Sequence, residues 1–231
     1  MATILLLVAL LGGTSAAFAI TQSLKNEPSP VGVPRFDRVL APGCDCESDV
    51  ATLGLRLRRA DRVTAEIVDA DGRTVRVLAD RERFRRGPIE LTWDGRGDGG
   101  EVVPDGRYRL RVELAREGRS ILIPTTIRVD TTAPAVELVA VRTKPGRIGV
   151  VYRTDERLAG ELAVRGEGLP ETVVVRGRFR PAGKARLNWS GRVDGQPLPA
   201  GDYELVLRVR DPAGNVSEPV TAPLELAGSA E

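Results

Sequence analysis

An internal repeat is the feature that most constrains how this chain folds. Residues 62–67 match residues 157–162 in character except at Ala65 and Gly160, an offset of 95 residues (62 to 157). Further pairs follow in the same order and at nearly the same offset: Trp93, Gly95, Gly106 and Tyr108 with Trp189, Gly191, Gly201 and Tyr203. Such agreement over most of a domain indicates two copies of one structural unit.

Each copy is patterned as short β-strands. Apolar residues alternate with Gly or Arg over residues 53–57, and with Arg or Glu over residues 107–114. A period of two places one face of a strand in a core and the other in water. Long windows show no sustained helical period, so the pattern predicts an all-β protein with two tandem β-sandwich domains.

The first 24 residues predict a membrane anchor or a signal peptide. Residues 2–20 carry no charge, and Lys25 follows them. The length favours a retained single-pass anchor, since a spanning helix needs roughly 20 apolar residues. The small-x-small sequence Ala17-Phe18-Ala19 supports the alternative, secretion after cleavage near Ala19. The positive segment that usually precedes either element is missing. Both alternatives place the rest of the chain outside the cytoplasm.

The remaining chain divides into a linker, two domains and a short tail. Residues 25–46 contain Pro28, Pro30 and Pro34, which are expected to prevent regular strand pairing and to form a semi-rigid linker. The first domain is predicted at 47–130, the second at 131–227 and the tail at 228–231. The short polar segment 129–134 joins the two domains, and we expect them to lie end to end.

Composition argues against catalysis. The chain has no histidine, which removes histidine-dependent triads, dyads and metal ligands, and its two cysteines cannot complete a zinc site. The formal charge is +2, and acidic residues are interleaved with the arginines, which favours solvated strand faces over a phosphate-binding patch. We therefore expect no enzyme activity, no cofactor, no metal and no nucleic-acid partner.

Cys44-Asp45-Cys46 is not explained by the predicted fold. A disulfide, within the chain or between chains, suits an oxidising compartment, although a bridge across one residue is expected to be strained. Incidental thiols, or a metal or redox role, are the alternatives.

The paired aromatic residues have core and surface interpretations. Trp93 and Trp189 lie in phase with apolar neighbours, which favours core packing over sugar stacking. Tyr108 and Tyr203 begin alternating strands, and their hydroxyls are expected to bond loop backbone as tyrosine corners do.

An acidic loop follows Trp93. Asp94, Asp98, Glu101 and Asp105 supply the oxygen ligands that calcium prefers, but Arg96 lies among them. The second copy keeps few of these acids, so a solvated loop is favoured over a calcium site.

The first copy resembles the Ig-like domain of the FlgD family, the flagellar hook-capping proteins. The resemblance is carried by residues 67–78, with their Asp-Ala-Asp-Gly turn, by Trp93-Asp94-Gly95-Arg96, and by Pro104-Asp105-Gly106-Arg107-Tyr108. The second copy is a weaker match, and its residues 210–217 resemble the terminal strand of bacterial surface Ig-like repeats. The resemblance implies two Ig-like sandwiches in an extracytoplasmic setting and does not imply flagellar capping.

These observations predict a structural or interaction protein of the cell envelope. Its partners are expected to be the membrane, through the N-terminal helix, and an envelope protein or glycan. A carbohydrate- or peptidoglycan-binding module and a flagellum-associated scaffold are the alternative functions. Exposed aromatic side chains on one face would favour carbohydrate binding, whereas a bare Arg/Glu face would favour a scaffold.

Overall fold

The structure, a computed structural model, describes residues 29–144 and 146–227. These residues form β-strands arranged as two Ig-like sandwiches, and the predicted all-β fold class is confirmed. The predicted anchor or signal peptide lies outside the described residues. Within the described ranges, no helix has the length and apolar character needed to cross a membrane.

In the first sandwich, a three-stranded sheet and a five-stranded sheet enclose the core. Their strand orders are β1-β3-β6 and β2-β8-β7-β4-β5, and every pairing is antiparallel except the short parallel pairing of β2 with β8. The strands are β1 (Val31–Phe36), β2 (Val39–Leu40), β3 (Ala51–Leu57), β4 (Asp61–Val68), β5 (Thr74–Phe84), β6 (Gly87–Trp93), β7 (Gly106–Leu114) and β8 (Arg119–Val129).

The second sandwich repeats this strand order. Its sheets are β13-β10-β9 and β12-β11-β16-β17, which correspond in order to β6-β3-β1 and β5-β4-β7-β8. A two-stranded sheet, β14-β15, is added. The strands are β9 (Glu137–Lys144), β10 (Arg147–Thr154), β11 (Ala159–Gly166), β12 (Leu169–Arg176), β13 (Gly183–Trp189), β14 (Arg192–Val193), β15 (Gln196–Pro197), β16 (Gly201–Arg210) and β17 (Val220–Leu226).

Each sandwich has its own hydrophobic core. Leu53 and Leu55 of β3 face Ile67 of β4 and Leu110 of β7, and all four are fully buried. The second core is separate from the first and is built in the same way around Leu162 of β11. Burial of each such side chain contributes about 1.5–3 kcal/mol, so the period-two rows are a major source of stability for each sandwich.

The prediction that prolines prevent regular strand pairing in the semi-rigid linker at residues 25–46 is wrong for residues 31–36 and 39–40. β1 pairs with β3, and β2 pairs with β8. Pro34 is accommodated because β1 is an edge strand whose register shifts between Gly32 and Arg35, where a missing N–H costs no ladder bond. Leu40 is fully buried and fixes this segment to the core. The first sandwich therefore begins near Val31.

Candidate functional site

The tryptophan turns have the same geometry in both sandwiches. Trp93 is 1% exposed and donates from Nε1 to the carbonyl oxygen of Arg96 at 2.9 Å. Trp189 is 4% exposed and donates to the carbonyl oxygen of Arg192 at 2.8 Å. Each indole fills its core and satisfies its one polar group within its own turn. The structure thus gives the tryptophans a packing role.

The tyrosines lie next to these turns. The Tyr108 hydroxyl donates to the carbonyl oxygen of Pro104 at 2.7 Å, and its ring meets Trp93 edge to face at 5.3 Å. The Tyr203 hydroxyl donates to the carbonyl oxygen of Pro199 at 3.2 Å. These are tyrosine-corner bonds, which join a loop to the strand that follows it.

The acidic loop uses its carboxylates within the protein. Asp94 accepts a hydrogen bond from the backbone N–H of Arg96, and Asp98 accepts one from Val77. In residues 29–144 and 146–227, no cluster of acids and cysteines suited to a metal ion is found. The arrangement is that of a hydrogen-bonded loop in which the acids order the backbone.

Asp105 binds the segment that joins the two sandwiches. Its Oδ1 accepts bonds from the backbone N–H and the hydroxyl of Thr131, both at 2.8 Å, and its Oδ2 accepts the Thr132 hydroxyl at 2.7 Å. Desolvation opposes ionisation of this carboxyl, but the bonds from Thr132 and Thr131, aided by Arg128, lower its pKa. The connecting segment is thereby fixed to the first sandwich.

Asp130 is bonded on both sides of the junction. Its backbone N–H donates to the carbonyl oxygen of Leu40 at 3.0 Å, within the first sandwich. Its carbonyl oxygen accepts a bond from Nδ2 of Asn215 in the second sandwich at 2.9 Å. One residue is thus hydrogen-bonded to both domains, which ties the connecting segment to each of them.

The turn that supplies Asn215 is ordered by Asp211, which is 2% exposed. Oδ1 of Asp211 accepts the backbone N–H groups of Gly214 and Asn215 at 2.7 and 2.9 Å, and Oδ2 accepts Asn215 Nδ2 at 3.0 Å. These bonds satisfy most of the capacity of the buried carboxylate, which would otherwise carry a large desolvation penalty. The turn is therefore a rigid element facing the first sandwich.

Cys44 and Cys46 form an intrachain disulfide that rests on this turn. Sγ of Cys46 lies 3.8 Å from the carbonyl oxygen of Ala213, which is fully buried. A Cβ added at Gly214 would lie 2.3 Å from the same sulfur, and φ at Gly214 is +111°. Only glycine fits both the backbone conformation and the close approach of the disulfide. We call the disulfide, Asp130 and the turn from Asp211 to Asn215 the junction.

Several carboxylates lie close together at the junction. Glu156 of the second sandwich has a raised pKa, first because it is partly desolvated and then because Asp211, Asp155 and Asp130 repel its ionised form, with Arg128 opposing them. A raised carboxyl pKa means that the folded state binds the proton more tightly than the unfolded state. Its effect on stability is therefore unfavourable at neutral pH and is relieved as the pH falls through the raised pKa.

Substituting Glu156→Gln is expected to raise the free energy of unfolding of the second sandwich at pH 7. The gain should be at most about 0.5 kcal/mol, because the site is largely solvated. The gain should vanish at pH values below 4.5, the ordinary carboxyl pKa, where Glu156 is protonated in both the folded and the unfolded state. Denaturant unfolding at several pH values measures this. Glu225→Gln removes one exposed charge away from the junction and serves as the control; an equal, pH-independent gain in both variants would contradict the account.

Comparison with known proteins finds a family that the first sandwich matches. Residues 47–118 match the family model described as FlgD Ig-like domain, which confirms the resemblance found in the sequence. The chain is 40% identical over 70 residues to the basal-body rod modification protein FlgD of Salmonella typhimurium, and the match covers 30% of each protein. The chain thus spans less than a third of the length of this curated relative.

Two solved structures align with much of the chain. The fibronectin(III)-like modules of Clostridium thermocellum CbhA align with 86% of this chain and 94% of their own, at 16% identity and a TM-score of 0.43. FlgD from P. aeruginosa aligns with 64% of this chain and 94% of its own, at 14% identity and a TM-score of 0.32.

The junction was not predicted from the sequence. Cys44 and Cys46 were singled out, but no segment was predicted to pack against them, because Ala213, the residue beneath them, lies 167 positions from Cys46. The available signal was the resemblance of residues 210–217 to a terminal strand motif, whose Asp, Gly and Asn build the turn. The structure brings these two unexplained segments together.

Proposed function

We propose that this chain is a non-enzymatic structural protein of the cell envelope, anchored in the membrane and extending its two Ig-like domains outside the cytoplasm. The observation that carries the proposal is the junction, in which Asp130 is hydrogen-bonded to both sandwiches and the disulfide lies against the second. A fixed connection suits a protein that holds a surface at a defined distance. A flexible tether would not require it.

The use of the polar side chains supports a non-enzymatic role. The acids of the loop after Trp93 and the buried Asp211 accept backbone hydrogen bonds, so their geometry is explained by folding. The chain also has no histidine, the commonest general acid and base.

The aromatic side chains favour a scaffold over a carbohydrate-binding module. Sugar-binding surfaces stack exposed aromatic rings on the ligand, whereas both tryptophans are buried here, as are Tyr108 and Tyr152. Phe179 is 40% exposed, but the guanidinium of Arg157 lies 5.0 Å from its ring centroid and covers one face.

Membrane anchoring is supported by the sequence before Ser29. An uncharged stretch at residues 2–20 precedes the folded part, and cleavage near Ala19 would leave a secreted protein with the same two domains. An oxidised Cys44–Cys46 pair suits an extracytoplasmic location, since cytoplasmic thiols are kept reduced.

Fractionation of native cells tests the proposal. We expect the full chain in the membrane fraction after a high-salt wash, released by detergent, with its N-terminal residues intact and its domains accessible to protease from outside the cytoplasmic membrane. Recovery from the cytoplasm would overturn the proposal. A secreted chain beginning at Ile20 would remove the anchor and leave a secreted two-domain protein.

A flagellum-associated scaffold is the second candidate. The observation in its favour is the match of residues 47–118 to the Ig-like domain of a protein named for basal-body rod modification. Capture of rod or hook components by the full chain from flagellated cells, lost when the first sandwich is unfolded by Trp93→Ala, would select this function. Capture that survives unfolding of the first sandwich would exclude a role of the matched domain.

A further inference from the structure

One end of the first sandwich carries a cluster of exposed arginines. The end of β3 and the loop before β6 bring together Arg56, Arg58, Arg59 and Arg86 around a surface depression. We call these four residues the arginine cluster. The other residues that line the depression are Gly32, Leu57 and Gly87, none of which is acidic.

No carboxylate in the part of the chain that the structure describes neutralises the arginine cluster. Among the described residues, none of the four guanidinium groups has a carboxylate partner within ion-pairing distance. Asp61, the acid nearest in sequence to Arg59, is buried and accepts the backbone N–H groups of Arg62 and Arg116. With respect to residues 29–144 and 146–227, the N–H donors of each guanidinium are therefore available to an external acceptor.

The arginine cluster lies where the chain enters the first sandwich. The backbone N–H of Arg58 donates to the carbonyl oxygen of Pro30 at 3.1 Å, and Val31, the first residue of β1, pairs with Leu57. Pro30 lies ten positions after Ile20, the last residue of the predicted apolar stretch, and a chain of that length spans at most about 35 Å. If residues 2–20 are in the membrane, the arginine cluster is held within that distance of it.

We propose that the arginine cluster is a docking surface for an anionic phospholipid membrane, which orients the first sandwich against the headgroups. This rests on the proposed membrane anchor. Guanidinium groups match phosphate oxygens in bidentate geometry and are less strongly hydrated than ammonium groups. The apolar stretch and a basic surface would act as two signals, since membrane binding combines burial of apolar area with electrostatic attraction to anionic lipids.

Vesicle binding by residues 29–227 tests the surface without the apolar stretch. This fragment contains the strands of both hydrophobic cores in full, so each sandwich has what it needs to fold. We expect co-sedimentation with vesicles of phosphatidylcholine containing about 30 mol% phosphatidylglycerol at low salt. Binding should be lost at about 0.5 M salt and absent with pure phosphatidylcholine.

The double variant R58E/R59E should bind these vesicles roughly 25-fold more weakly or worse, since each basic residue at an anionic surface strengthens binding roughly five-fold. R178E/R186E makes the same charge change at exposed positions of the second sandwich and is the matched control, expected to bind as the unsubstituted fragment does. Thermal melts verify that both variants fold, and R86E alone provides a second, milder test.

Equal loss in the control variant, or binding that R58E/R59E leaves unchanged, would overturn the proposal. Retention on a soluble polyanion such as dextran sulfate, with no vesicle binding, would also overturn it and would indicate an anionic polymer as the partner. Failure of the fragment to bind while the full chain stays in the membrane fraction would reject the docking surface and leave the proposed anchor intact. If the fragment binds vesicles but fractionation finds the full chain in the cytoplasm, the proposed anchor is rejected and the docking surface is kept.

Discussion

Replacing Trp93 by alanine is expected to lower the free energy of unfolding of the first sandwich by about 3–5 kcal/mol. The indole is 1% exposed, stacks edge to face on Tyr108 and donates to the carbonyl oxygen of Arg96. Its removal leaves a cavity and an unpartnered carbonyl. Trp189→Ala should have the same effect on the second sandwich, where the indole makes the equivalent bond to Arg192.

The damage should stay within the substituted sandwich, because the two cores share no residue. Calorimetry or domain-resolved NMR during denaturation would follow the two transitions separately. Val102→Ala, at a 39% exposed valine of the first sandwich, is the control and should cost about 0.5 kcal/mol or less. Unchanged transitions combined with loss of glycan binding would show that the tryptophans are surface ligands and would contradict the packing role.

Gly95→Ala should destabilise the first sandwich more than Gly191→Ala destabilises the second. Both glycines have positive φ, +73° and +74°, which costs an L-residue about 1–2 kcal/mol. A Cβ at Gly95 would in addition lie 2.2 Å from Cγ of Pro42, whereas at Gly191 the nearest atom is Cδ1 of Ile148 at 3.7 Å. Overpacking of this kind adds about 1–3 kcal/mol.

Each of the two variants serves as a control for the other. Both incur the free-energy cost of an alanine at positive φ, but only Gly95→Ala also incurs the cost of a steric clash. Urea unfolding of both variants measures the difference. An equal loss of unfolding free energy in the two sandwiches would show that the segment after β2 does not hold Pro42 against Gly95.

The strands of the two sandwiches were predictable because a two-residue period fixes which side chains face inward. The alternation at residues 53–57 and 108–114 placed Leu55 and Leu110 in the core, where both are fully buried. The prediction was wrong at β1. Pro34 was expected to prevent pairing, whereas an edge strand with a register shift needs no N–H at that residue.

The junction and the arginine cluster were beyond prediction for a different reason. Both are assembled from segments that are distant in sequence and have no shared pattern. Along the chain, Arg58 and Arg86 are scattered among acids, and the interleaving indicated solvated faces. Only the pairing of β3 with β6, which sets Leu57 opposite Gly87, shows that these arginines meet at one end of a sandwich.

The fixed junction is the central structural claim, and residual dipolar couplings test it most directly. With the Cys44–Cys46 disulfide intact, couplings from both sandwiches should fit one common alignment tensor. Gly214→Ala, which places a Cβ 2.3 Å from Sγ of Cys46, should separate the two tensors while each sandwich stays folded. Two different alignment tensors in the unsubstituted, oxidised protein would contradict the claim, because they would show that the sandwiches reorient independently.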